Sequence, residues 1–359
     1  MIKDLENNNI NYNQRLSAAI TWLRFPLIFL IIMLHCYSVQ RLEGNHEIYF
    51  KVLYPFSLWL GETGVPAFFF ISGYLFFLSK KSYQQKLKDR VYTLLIPYLL
   101  WNFLLLLFYL AAYAFGHPLV IFKTSIAEYN WLDYIRVFWD RGEFDGGNSA
   151  PLLCPLWYIR NLLIMSILSP LLYYIIRYTR EFFLVAVAVW WMTINNNAFT
   201  PQTILFFCLG AYFAIFDINP LKIVAEKKAL FLLFTCIFAI ADIFVHTVVG
   251  THFNLTIHRI ALLLNIPALI LLADRMSKYN KHKFTKFLSQ AAFIVFCIHY
   301  PIVLVLRKIC VIAFANATDI IHIPLYFLCI ILTTLFSLGF YWVLDKYCPK
   351  VKCVLSGNR

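Results

Sequence analysis

The chain has 359 residues, of which 61% are hydrophobic and only 14% charged, with a formal net charge of +13. Soluble domains run at roughly 45–50% apolar and 25% charged, so this composition excludes an ordinary soluble fold and points to one integral membrane domain; a soluble basic surface with interleaved aromatics, which nucleic-acid binding needs, is absent. The nine cysteines are irregularly spaced, and Cys36, Cys208, Cys236, Cys297, Cys310 and Cys329 fall inside apolar runs, so they read as small core residues without disulfide or metal spacing.

Ten apolar segments follow in chain order, near residues 17–39, 52–78, 91–115, 152–176, 181–194, 201–216, 229–249, 256–274, 291–314 and 322–344. About 20 apolar residues at roughly 1.5 Å each cross the hydrocarbon of a bilayer. The expected fold class is therefore all-α, a polytopic transmembrane helical bundle of about ten spans. The fifth and sixth segments are short, and Asn195-Asn196-Asn197 with Pro201 marks a turn that would let them form one broken hairpin. The first run is too long for a signal-peptide core and has no small-residue cleavage pattern, so no removed leader is expected.

Arg24 and His35 lie inside the first segment. A charged or titratable side chain there costs a few kcal/mol to insert and marks a functional candidate. The two are eleven residues apart, about 1100° of helix or three turns plus roughly 20°, and so stand on one face about 16 Å apart. That face offers a permanent cation at one end and a base titrating near neutrality at the other. A snorkelling Arg and a hydrogen-bonded core His explain each residue alone better than they explain the shared stripe.

Further along, Glu62 falls within the second segment, where Gly61, Thr63 and Gly64 describe a wet kink as readily as a site. The stretch Lys80-Lys81 to Lys86-Leu87-Lys88-Asp89-Arg90 is strongly basic. It reads either as an inner-face flank or as a holder for a phosphorylated cytoplasmic ligand. The longest connection, residues 116–151, contains Trp131, Trp139, Asp133, Asp140, Glu143 and Asp145. Aromatic faces and carboxylates suit a glycan acceptor, and an interfacial segment resting on the membrane is the other reading. Asp242 and His246, four residues apart, read as a mutually satisfied pair. His258-Arg259 reads as an outer interface with a snorkelling Arg, and His299, placed in the inner half of the ninth segment, is open between structure and function.

Basic residues orient the bundle. With the N-terminus inside, the connections on that side hold 21 Lys and Arg, and those on the other hold five: Arg41, Lys51, Lys123, Arg136 and Arg141. Both termini are thus expected in the cytoplasm, with residues 116–151 outside, Arg24 in the inner half of its span and His35 near the outer end. The charge of +13 then follows from topology. A polar face running from an inner cation to an outer base suits an anionic donor from the cytoplasm and an acceptor from outside. His35 would take a proton from a hydroxyl attacking an activated acyl group, or would itself carry the acyl group as nucleophile.

The ordered motifs resemble those of the acyltransferase-3 family of multi-pass bacterial membrane proteins. Arg24-x10-His35 is similar to its Arg-x10-His in the first helix, and Val65-Pro66-Ala67 through Ser72-Gly73-Tyr74-Leu75 to its phenylalanine-rich stretch. Ile96-Pro97-Tyr98 with Trp101, Leu156-Trp157-Tyr158 followed by Pro170, and Cys297-Ile298-His299-Tyr300-Pro301 match later motifs, so the resemblance runs from about residue 15 to 345. One departure stands out: where the family carries Arg-x-x-Arg before Ile-Pro-Tyr, this chain has Arg90 and then Thr93.

The resemblance implies one transmembrane acyltransferase domain over residues 17–344, with cytoplasmic tails at 1–16 and 345–359, in the bacterial inner membrane. It implies an O-acyltransferase, most simply an O-acetyltransferase, using acyl-CoA as co-substrate and a surface or exported glycan as acceptor, without cofactor or metal. His35 and Arg24 would be catalytic, and Arg90, Lys88 and Lys86 would bind the donor. Glu62, Ser72, Trp157, Arg160 and His299 would line the site, with Ser72-Gly73 serving helix packing in the other reading. Trp131, Trp139, Asp140 and Asp145 would meet the acceptor. Two rivals remain: a lipid or small secreted acceptor, and a flippase for a lipid-linked glycan, which would call for inverted repeats that are not visible.

Overall fold

The structure, a computed structural model, describes residues 2–36, 53–116, 120–121, 124–140, 149–195, 199–248, 251–314 and 316–358. It is helical, apart from a two-residue antiparallel pair, β1 (Val120–Ile121) and β2 (Thr124–Ser125). Helix α1 (Ile2–His35) is continuous, so residues expected as a tail form its first turns. Helices α2 (Tyr54–Gly61) and α3 (Gly64–Leu78) are parted at Glu62-Thr63. Helix α4 (Tyr83–Arg90) starts at a reciprocal Ser82/Gln85 cap, passes through a π-helical turn at Val91–Leu95, and continues as α5 (Ile96–Ala114). The short α6 (Trp131–Arg136) is capped by Asn130.

Helices α7 (Trp157–Ile167) and α8 (Ser169–Thr179) meet at a 69° bend, where Pro170 has no amide to continue the ladder. Then come α9 (Glu181–Thr193), α10 (Phe199–Ile215) and α11 (Pro220–Glu226), the last two bent by 93° beyond Asp217, whose φ is 54°. Helices α12 (Lys228–Val248), α13 (Thr251–Met276), α14 (Lys283–Ala313), α15 (Asp319–Tyr347) and α16 (Pro349–Ser356) complete the chain.

Among the described residues, seven helices are long and apolar enough to cross a membrane, and the two bent pairs raise the count to as many as nine. The count of about ten read from the sequence is not reached. Its fifth segment is α9, whose 13 residues rise only about 20 Å against a hydrocarbon core of about 30 Å. Large exposed apolar side chains such as Phe108, Tyr178, Phe182 and Ile240 suit a lipid surround better than water.

The chain divides into two compact units, Met1–Leu78 with Phe206–Phe340, and Ser79–Leu205 with Tyr341–Arg359. In the first, α1 is central, and its buried stripe includes Leu23, Leu27, Ile28, Ile31 and Ile32. Glycines allow backbone approach here. A Cβ at Gly64 would stand 2.9 Å from Leu27 O, and one at Gly73 2.0 Å from Phe207 O. Gly210 repeats the contact reciprocally against Phe70 O, so α3 and α10 touch backbone to backbone. In the second unit, buried Trp101 donates to Leu355 O. Asn102 donates to Tyr98 O and accepts from Leu153 N, anchoring the segment that leads into α7.

Candidate active site

Helix α1 carries both residues that the sequence singles out. It continues through Pro26, leaving Arg24 exposed and His35 half-buried. No described residue pairs with the Arg24 guanidinium, so its donors remain open to an incoming anion. A cleft of about 500 Å³ lies between the first half of α1 and α3, α10 and α11, with Asn13, Ser17, Ile20, Tyr74, Asp217 and Lys222 in its wall. Ile20 is one turn before Arg24.

Helix α14 supplies the partner of His35. The His299 ring centroid is 5.4 Å from that of His35, and Tyr300 meets His35 edge-on at 5.1 Å. His299 is fully buried, and its Nδ1 donates to Phe296 O at 2.7 Å. Because a carbonyl only accepts, the proton sits on Nδ1 and the lone pair on Nε2. That Nε2 is buried without a hydrogen-bond partner among the described residues. Pro301 loosens the ladder beside it, since it has no amide to give Cys297 O. The sequence reading placed His299 in the inner half of its span. The structure sets it against His35, because α14 starts at Lys283, well before the apolar run near 291. Arg307, two turns further along α14, lies within electrostatic reach of His35.

A second polar centre occupies the same unit. His258 bridges two carboxylates, with Nδ1 2.8 Å from Asp242 Oδ2 and Nε2 3.1 Å from Glu62 Oε2. Asp242 is therefore held by His258, sixteen residues away; the His246 side chain, which the i,i+4 spacing pairs with Asp242, lies outside the described residues. His258 and Arg259 are 7% and 3% exposed, so the arginine is buried within the protein and does not snorkel. The sequence signal for this centre was three ionisable groups, Glu62, Asp242 and His258, each on a separate span. At Ser72-Gly73, Gly73 serves close helix packing against Phe207, and Ser72 is half-buried.

In the second unit, Arg160 is 7% exposed and uses all five of its N–H donors. Nε and Nη2 donate to Asn161 Oδ1, Nη1 to Trp139 O and Ser149 Oγ, and Nη2 also to Ser149 O. Its guanidinium also lies 5.1 Å from the Trp139 ring centroid. Arg160 thus clamps the 116–151 connection and keeps no donor for a ligand. Trp157 is buried and stacks on Phe199 at 4.0 Å. Trp131 and Trp139 are exposed, Asp140 lies 3.8 Å from Arg136, and Asp145 is outside the described residues.

The donor candidates divide by helix face. Lys86 and Arg90 are four apart and both half-buried, whereas Lys88, about 200° around from Lys86, is exposed. The structure therefore groups Arg90 with Lys86 rather than with Lys88. Thr93, at the place of the family's second Arg, donates to Asp89 O at 2.7 Å. The chain end covers its backbone: Gly357 has φ 66°, and a Cβ there would stand 2.5 Å from Thr93 O.

The family model described as an acyltransferase domain matches residues 17–342. The chain is similar to the succinoglycan biosynthesis protein ExoH of Rhizobium meliloti (strain 1021), at 26% identity over 364 residues covering 96% of this chain and 92% of the relative. No solved structure matches.

Proposed function

Because the chain belongs to this acyltransferase family and is a multi-pass membrane protein, we propose that it moves an acetyl group from cytoplasmic acetyl-CoA to a hydroxyl of an exported polysaccharide, with His35 as general base. The observation that carries the reading is the His35–His299 pair, two imidazoles at 5.4 Å in a membrane helix bundle, one with its tautomer fixed and its lone pair unpartnered. The succinoglycan relative supports a polysaccharide acceptor.

In the reaction, His35 takes the proton as the hydroxyl oxygen attacks the thioester carbon. The C–S bond then breaks, and the thiolate of CoA receives that proton from the imidazolium. The histidine ends neutral and no net proton is consumed. His299 Nε2 is suited to accept the other N–H of His35, which would hold the reacting ring in one tautomer as the carboxylate does in a catalytic triad. Arg307 supplies positive charge toward the developing oxyanion. The Lys86–Arg90 face offers a pair of cations for the phosphates of the donor.

Two measurements test this. Purified protein in nanodiscs should release free CoA thiol from acetyl-CoA when polysaccharide is added, and mass spectrometry should find the acetyl ester on the polysaccharide. No thiol release and no ester would remove the reading. For sidedness, the cytoplasmic termini and outside 116–151 connection predict that, in a cysteine-free background, Ile135→Cys is labelled by an impermeant thiol reagent on spheroplasts while Lys80→Cys is not. The reverse pattern would invert the donor and acceptor sides.

A further inference from the structure

We propose that the cleft beside the first half of α1 is a binding site for an aminophospholipid, recognised by the ammonium of its phosphoethanolamine head group. The site goes beyond the acyl-transfer reading and does not depend on it. Three elements build it within one compact unit: α1, the end of α3, and the 93° bend that carries α10 into α11. Its volume of about 500 Å³ falls in the range of about 300–1,000 Å³ that takes a small ligand. Asn219 ties two of these walls together. Its Nδ2 donates to Asn13 Oδ1 at 2.6 Å, and its Oδ1 accepts from Lys222 N at 3.1 Å, capping α11.

Charge selects the ligand. The cleft wall carries two carboxylates, Asp217 and Glu226, against one ammonium, Lys222. Neither carboxylate has an ion pair or a side-chain hydrogen bond among the described residues. Arg15, the cation on this part of α1, is spent on Asp274 at 3.0 and 2.6 Å. Such a wall repels the diphosphate of a nucleotide and attracts a cationic group. A zwitterion satisfies both signs: its ammonium meets the carboxylates, and its phosphodiester meets Lys222 and the Ser17 hydroxyl, one turn from Asn13 on the same face of α1.

Tyr74 points to a ligand independently. It is only 6% exposed, yet its hydroxyl has no hydrogen-bond partner among the described residues and is not enclosed. It lines the cleft within electrostatic reach of Asp217. A buried phenol ordinarily finds a partner for its O–H, and here the hydroxyl opens on the cleft. The remaining wall supplies the other half of a lipid's chemistry. Leu75, Leu78 and Ile223 bring exposed apolar side chains to the same cleft, which suits acyl chains and would be wasted on a water-soluble amine.

The test is native mass spectrometry of the full chain in detergent, titrated with palmitoyl-oleoyl phosphatidylethanolamine, phosphatidylcholine and phosphatidylglycerol. The three share acyl chains and phosphodiester. Choline keeps the charge but has no N–H donor, and glycerol removes the charge. The wild type should bind phosphatidylethanolamine about tenfold or more tighter than phosphatidylglycerol, with phosphatidylcholine between them. Asp217→Asn combined with Glu226→Gln should erase that preference; asparagine tolerates the φ of 54° at position 217. Tyr74→Phe, which removes only the hydroxyl, should weaken phosphatidylethanolamine binding about threefold or more. Phosphatidylglycerol bound as tightly as phosphatidylethanolamine by the wild type, or a preference that survives the double substitution, overturns the site. Should the double variant lose its helical circular dichroism, Tyr74→Phe decides, and wild-type phosphatidylethanolamine binding by that variant overturns the site.

Discussion

His299 and Arg160 are both almost wholly buried polar groups in membrane helices, yet the protein treats them in opposite ways. Every N–H of Arg160 has an acceptor, and three of those acceptors belong to the 139–149 stretch it clamps. His299 bonds to the backbone of its own helix, and its Nε2 lone pair has no partner among the described residues beside His35. A buried polar atom without a partner costs about 1–3 kcal/mol. Saturation therefore marks Arg160 as architecture, and the unmet lone pair is the ground on which we propose the His35 end of α1 as the reacting centre.

Breaking this comparison begins with the larger effect. His299→Asn removes the unpartnered lone pair while keeping a small polar side chain. It should lower kcat for transfer about 10–100-fold with little change in the KM for acetyl-CoA, since the residue orients His35 and does not touch the donor. A change confined to KM would place His299 in donor binding instead. Next, Lys86→Ala with Arg90→Ala should raise the KM for acetyl-CoA about tenfold, and Lys88→Ala, on the opposite face, should not. Equal effects would return the whole segment to its topological role. The smallest effect on turnover belongs to the saturated group. Arg160→Ala should change activity per folded molecule less than about threefold, while lowering the thermal midpoint by about 5 °C or more through the carbonyls it strands. Loss of activity at full stability would contradict the assignment.

Most of the architecture was legible because each apolar run of sufficient length has few alternatives to a membrane helix. The limit was α9, where composition alone cannot tell a short span from a helix that stops within the bilayer. His35 stood out by its placement, a titratable group in an apolar run, and its proposed role rests on that placement and on the His299 ring beside it. His258 was not, because its partners Glu62 and Asp242 lie 196 and 16 residues away, and only the packing of α13 against the α2–α3 break joins them. Arg160 was equally opaque: three of its five bonds end on a connection whose path no periodicity encodes, and the other two on its own neighbour. The pairing of Lys86 with Arg90 was available from the i,i+4 rule, and grouping by sequence proximity obscured it.

The central claim is that His35 is the reacting base. It is tested most directly by acceptor-dependent thiol release from acetyl-CoA, comparing purified wild type with His35→Gln in nanodiscs at equal folded amounts. The account predicts a loss of at least about 10²–10⁴-fold with acetyl-CoA still bound. Near-normal release by the variant would contradict it.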